Sequence, residues 1–169
     1  MPALTYSGII VGIMIVHTIV IDIMGLSFST YNQIAGIVIP LVGIAYAIYG
    51  YRKEYRDDVI NYQKALGFGV LVSFFIALVI SVFSAIYTYF INPDLLEIGQ
   101  QMAEEKMIQR GMSPEVIERA MESRERFNKP VWTILFGTLS LTLFGTIFSL
   151  IAAAFLKKEP KDPFAGVEE

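Results

Sequence analysis

Residues 66–91 read LGFGVLVSFFIALVISVFSAIYTYFI, with no Asp, Glu, Lys or Arg among them. A helix needs about 20 apolar residues to cross the roughly 30 Å hydrocarbon core of a bilayer, so this stretch is long enough to span one. Three more runs of the same kind flank it, at Leu4–Met24, Tyr31–Tyr51 and Val131–Leu156. Four such segments define an all-α membrane protein: a four-transmembrane-helix bundle whose solvent is lipid. The remaining pieces are a loop at 92–130 and a tail at 157–169, and the 169 residues form one four-span membrane domain.

Within the quoted stretch, Gly69, Ser73, Ala77, Ser81 and Ala85 recur every four residues. On a helix that spacing makes a narrow groove of small side chains along one side. Helices in lipid associate by close van der Waals contact, so the stripe is expected to be the packed face of span three. Gly145, Ser149 and Ala153 repeat the pattern in span four, with shorter versions at Gly8 and Gly12 and at Gly43 and Ala47. The same stripe also suits a partner chain. Pro40 removes a backbone donor inside span two and is expected to bend it.

Composition excludes several classes. Charged residues make up 17% of the chain and the net charge is −3, with acids and bases mixed. A nucleic-acid partner would require a clustered basic surface, so none is expected. There are no cysteines, which removes disulfides, thiolate metal sites and Cys nucleophiles together. The opening residues lack a basic n-region and the first run is too long for an ordinary signal h-region, so it reads as a retained first span.

Lys and Arg in the short flanks set the orientation. Arg52, Lys53, Arg56 and Lys64 lie between spans two and three, and Lys157, Lys158 and Lys161 follow span four, whereas the turn 25–30 has none. Both termini and the middle connection are therefore expected in the cytoplasm. The 92–130 loop falls outside, although it carries six bases beside eight acids. Aromatic residues suit the two interfaces, with Tyr6, Tyr46, Tyr49 and Tyr62 inside and Phe28, Tyr31, Tyr87, Tyr89 and Trp132 outside. In the middle connection, Asp57 or Asp58 is expected to cap a helix that starts at Val59 and runs into span three.

The outer loop has its own helical signals. Asn92-Pro93-Asp94 breaks span three, and Leu95, Ile98 and Met102 then share one face. Gly111 is a stop, and Ser113-Pro114-Glu115 restarts with an N-cap serine and a proline at the first helical position. The loop is thus an extracytoplasmic amphipathic helical hairpin between spans three and four. It is able to pack on itself, lie on lipid, cap the bundle or dock a partner.

Candidate chemistry is sparse. His17 and Asp22 are the strongly ionisable residues within the first span, and Asn32 and Gln33 open span two at the same level. Ionisable side chains in lipid are expensive and mark functional positions, so these four form a candidate polar vestibule beneath the hairpin. Imidazole titrates near neutrality, which suits a proton or solute path. The competing reading has His17 hydrogen-bonded across the bundle and Asp22 at the interface. Met102, Met107, Met112 and Met121 suit apolar packing better than copper. No catalytic, cofactor-binding or metal-binding motif stands out: there is no Ser/His/Asp set, phosphate loop or dinucleotide fingerprint.

Other short stretches carry a resemblance. They are Tyr-Arg-Lys-Glu-Tyr-Arg-Asp at 51–57, Tyr62–Gly67, Ser84–Tyr89, Phe90–Asp94, Gly111–Glu115 and the run Gly145–Lys158. In this order they resemble the family catalogued as domain of unknown function 4199, small inner-membrane proteins common in Bacteroidota. The likeness implies a bacterial cytoplasmic (inner) membrane location and the same four-span layout, and brings no activity, cofactor or catalytic residue. The expected role is that of a non-enzymatic accessory, regulatory or structural subunit. Its partners would be the lipid bilayer and other membrane subunits or further copies of the chain. The alternative is a small transporter or proton-linked channel using His17 and Asp22.

Overall fold

The computed structural model describes residues 1–158. Six α-helices follow one another: α1 Pro2–Ile23, α2 Thr30–Tyr55, α3 Tyr62–Ile86, α4 Asp94–Gln109, α5 Pro114–Arg126 and α6 Pro130–Leu156. A π-helical turn, Tyr87–Ile91, extends α3. Four helices, at Pro2–Ile23, Thr30–Tyr55, Tyr62–Ile91 and Pro130–Leu156, are long and apolar enough to cross a membrane. Lys161 and most of the tail lie outside the described residues.

The chain divides into two compact units, Met1–Ala77 with Ser140–Glu169, and Leu78–Leu139. In the first, α3 touches the other three long helices. A Cβ at Gly69 would stand 2.9 Å from Ile48 of α2 and 2.7 Å from the Ser149 hydroxyl of α6. Phe68 stacks on Tyr51 with centroids 3.9 Å apart and meets the edge of Tyr6 from α1. On α3, Gly69, Ser73 and Ala77 are buried, as are Gly145, Ser149 and Ala153 on α6. Each serine hydroxyl donates to the carbonyl one turn earlier, Ser73 to Gly69 at 2.8 Å and Ser149 to Gly145 at 2.7 Å, and the two hydroxyls lie 3.4 Å apart. The serines thus satisfy themselves on their own helices and leave nothing bulky to hold the backbones apart. Large residues lie elsewhere, with Val42, Leu143, Ile147 and Ile151 exposed. This inversion of a soluble core is what lipid requires, since hydrocarbon gives apolar side chains no reason to hide.

The connection between α2 and α3 differs from the expectation. Asp57 and Asp58 adopt left-handed backbone (φ 49° and 61°), a region that Asp tolerates better than most residues. Neither begins a helix. Ile60 instead pairs with Lys158 through two backbone bonds of 2.8 Å, and Asn61 Oδ1 accepts the N–H of Lys64 at 2.9 Å. Asn61 is therefore the cap and α3 starts at Tyr62, because the preceding residues are held in the bridge. Arg52 donates to the Leu156 carbonyl at 2.9 Å and pairs with Asp58 at 2.9 Å, and Lys158 closes on the other oxygen of Asp58. The turn is stitched to the end of α6 rather than simply solvated.

In the second unit, Ser81, Ala85 and Tyr87 are buried, and a Cβ at Gly137 would meet the Ser81 hydroxyl at 2.7 Å. The hairpin helices α4 and α5 are joined at Gly111, whose φ of 71° suits a residue without a side chain. Its N–H donates to Ile108 and that of Met112 to Met107, so the last carbonyls of α4 are capped. Ser113 stands at the N-cap of α5 with Pro114 next, but its hydroxyl makes no cap bond.

Candidate functional site

Two places gather polar chemistry, and each belongs to one unit. In the first unit, α1 ends at Gly25 in a left-handed cap, with the Leu26 N–H donating to the Ile21 carbonyl at 2.9 Å. The chain then turns so that the Ser27 hydroxyl donates to Asp22 at 2.8 Å, while Asn32 Nδ2 donates to the Ser27 carbonyl at 2.6 Å. Ser29 caps α2 by accepting the Asn32 N–H at 3.1 Å. Asp22 and Asn32 are thus brought together through Ser27. Gln33 lies exposed, with its backbone N–H bonded to the Ser29 carbonyl. His17 turns to Tyr31, ring centroids 6.1 Å apart, and its Nε2 is buried without a hydrogen-bond partner. Asp22 and Asn32 therefore brace a turn, and His17 is the member of the set whose polar atom is left open.

The second place is the hairpin. No residue of α4 or α5 is buried. Between the helices runs a groove of about 950 Å³ whose apolar lining includes Ile108, Ile117 and Met121. Glu104, Glu118, Glu122 and Glu125 line it, and no lysine or arginine is among its lining residues. The α5 end of the hairpin is well anchored. Phe127 meets the edge of Trp132 at 5.4 Å, and Trp132 stacks on Phe136 at 5.5 Å. The Tyr89 hydroxyl donates to Asn128 Oδ1 at 2.8 Å and lies 3.2 Å from the Thr133 hydroxyl. Sequence spacing marked the apolar faces but not the groove's acidic walls, since those depend on which sides of two helices meet. It also gave no sign of the Tyr89–Asn128 bond, which joins residues 39 apart.

Among the described residues, no three His, Cys, Asp or Glu side chains stand close enough to hold a metal ion. The geometry offers a braced turn with one open imidazole nitrogen, and a groove lined by apolar residues and four glutamates. These features, on helices able to span a bilayer, define a multi-pass membrane protein carrying a helical hairpin. A family model described as a protein of unknown function, DUF4199, matches residues 5–158, and the chain belongs to that family. Neither a curated protein nor a solved structure matches the chain.

Proposed function

We propose that the chain is a non-enzymatic accessory, regulatory or structural subunit of a membrane assembly, and that the hairpin groove is its contact surface. The observation that carries this is the unfilled hairpin: two amphipathic helices with no buried residue, around a groove with apolar lining. In water such a pair gains by burying its apolar stripe, and here a partner would complete the burial. The acidic walls select a partner with basic residues flanking an apolar strip, and they disfavour an anionic lipid surface. In this reading the four long helices form a bundle in a bacterial cytoplasmic membrane. Both termini lie inside and the hairpin outside, in keeping with Arg52, Lys53, Arg56, Lys64, Lys157 and Lys158 at one end.

The test is gentle purification from the native membrane followed by native mass spectrometry with lipids retained. The expected result is a stoichiometric foreign subunit that cross-links to α4 or α5 and is lost from the pair Glu118→Lys and Glu122→Lys. A bare monomer, or a foreign subunit indifferent to that charge reversal, would overturn the reading. One observation favours the proton-linked alternative, the open Nε2 of His17 inside a span. Proton flux in liposomes that His17→Ala abolishes would establish it.

A further inference from the structure

We infer that the first unit holds one acyl chain of a bilayer lipid in a pocket beside Pro40. The pocket measures about 250 Å³ and lies near the middle of the four long helices. Met14 of α1, Gly36 and Pro40 of α2, Ile76 of α3 and Phe144 and Phe148 of α6 line it. Ser73 is the one polar side chain in its wall, and that hydroxyl is already given to the Gly69 carbonyl.

Gly36 keeps the space open. A Cβ there would meet nothing within 4 Å, whereas a Cβ at Gly145, also in the wall, would meet Ser73 at 2.5 Å. One glycine lets two helices close and the other leaves a hollow. The mouth is made by Ile37, Leu141 and Phe144, which are exposed. Water needs two to four polar partners, and the one polar side chain in the wall is already bonded. An engineered apolar cavity of about 150 Å³ in another protein stays dry and takes benzene, so this larger one has room for several methylenes. It is too small for a helix, whose diameter with side chains is about 10–12 Å. The pocket sits at mid-span depth, where the ends of acyl chains lie, and a chain end is therefore the occupant that both fits and is at hand.

The experiment uses the full chain in phosphatidylcholine vesicles in which one acyl chain carries a diazirine near its methyl end. Bulk lipid is stripped with detergent, the sample is irradiated, and adducts are mapped by peptide mass spectrometry. One adduct per chain is expected, on Met14, Ile76 or Phe148 rather than on outward residues such as Val42 and Ile151. Gly36→Leu fills the hollow and should cut that adduct about ten-fold, a difference of one decade in affinity. Gly36→Ala, which leaves most of the volume, should retain it. Adducts spread over Val42 and Ile151, or an adduct undiminished in a folded Gly36→Leu protein, would overturn the proposal. So would cross-links from Ile37 or Phe144 to a second copy, or displacement of the phospholipid by an equal amount of a polyisoprenoid alcohol. The wild-type map decides the matter even if Gly36→Leu fails to fold.

Discussion

The α3–α6 seam of the first unit and the α4–α5 hairpin of the second are both helix pairs, yet they are built on opposite rules. The seam uses Gly69, Ser73 and Ala77 against Gly145, Ser149 and Ala153, all buried and all small. The hairpin uses Ile, Met and Glu, and buries none of them. In lipid, association comes from close backbone approach, so small side chains are the adhesive and large ones face out. In water the reverse holds, so a hairpin standing in water, as proposed above, would leave apolar surface to be covered. On the function proposed above, contact with another protein is to be sought in the hairpin rather than along a stripe that α6 already packs against.

The comparison breaks most visibly if a glycine of the seam tolerates a side chain. A Cβ at Gly145 would stand 2.5 Å from both Cβ and Oγ of Ser73. Gly145→Leu is therefore expected to cost about 3 kcal/mol, the upper end of ordinary overpacking, read from unfolding in mixed micelles. Gly12, a glycine of α1 with nothing within 4 Å of its Cβ position, is the control. Gly12→Ala should be neutral or stabilising by about 0.4–1 kcal/mol, because the unfolded chain loses freedom. Equal losses at the two sites would remove the distinction between seam and surface. On the hairpin side, Gly111→Ala forces an L-residue into left-handed backbone at a cost of about 1–2 kcal/mol. Hydrogen exchange should show the loss in α4 and α5.

Much of this plan was legible in the sequence, for physical reasons particular to membranes. Long apolar runs leave few alternatives to helices, and the four-residue repeat from Gly69 to Ala85 marked the face that is buried. Gly111 and Pro114 located the hairpin's turn because each restricts the backbone in a known way. What escaped was tertiary. Nothing in the local sequence shows that Ile60 pairs with Lys158, a bond that moves the start of α3 to Tyr62 and makes Asn61 the cap instead of Asp57 or Asp58. Likewise His17, Asp22, Asn32 and Gln33 share a level by counting residues. The Ser27 turn decides that Asp22 and Asn32 are linked through Ser27 while His17 turns to Tyr31.

A smaller effect sharpens the hairpin side. Tyr89→Phe removes the bonds to Asn128 and Thr133 while keeping the ring. One net hydrogen bond is worth roughly 1 kcal/mol, so the change should raise exchange at the start of α6 without altering the first unit. An effect of equal size at the Ser73–Ser149 contact would show that the two units do not respond separately.

The smallest effect concerns the charged stitch at the other end of the seam. The Lys158 ammonium bonded to Asp58 holds that carboxyl below its ordinary value, with Arg52 and Lys53 adding to the pull against partial desolvation. A lowered folded pKa means that the stabilisation is complete above the ordinary carboxylate value of 3.8 and fades as the pH falls through the folded value. Between neutrality and about pH 4, the bridge from Ile60 to Lys158 should therefore stay intact, and below that range it should loosen. Because the group is exposed, the effect is modest and shrinks with added salt. The measurement is protection of the Ile60 N–H, corrected for intrinsic exchange, from neutrality down through the range below about pH 4. Asp58→Asn should flatten the profile, and Lys158→Met should leave only the weaker dependence that Arg52 supports. A profile unchanged by either substitution would mean that the backbone bridge closes the turn without the charges.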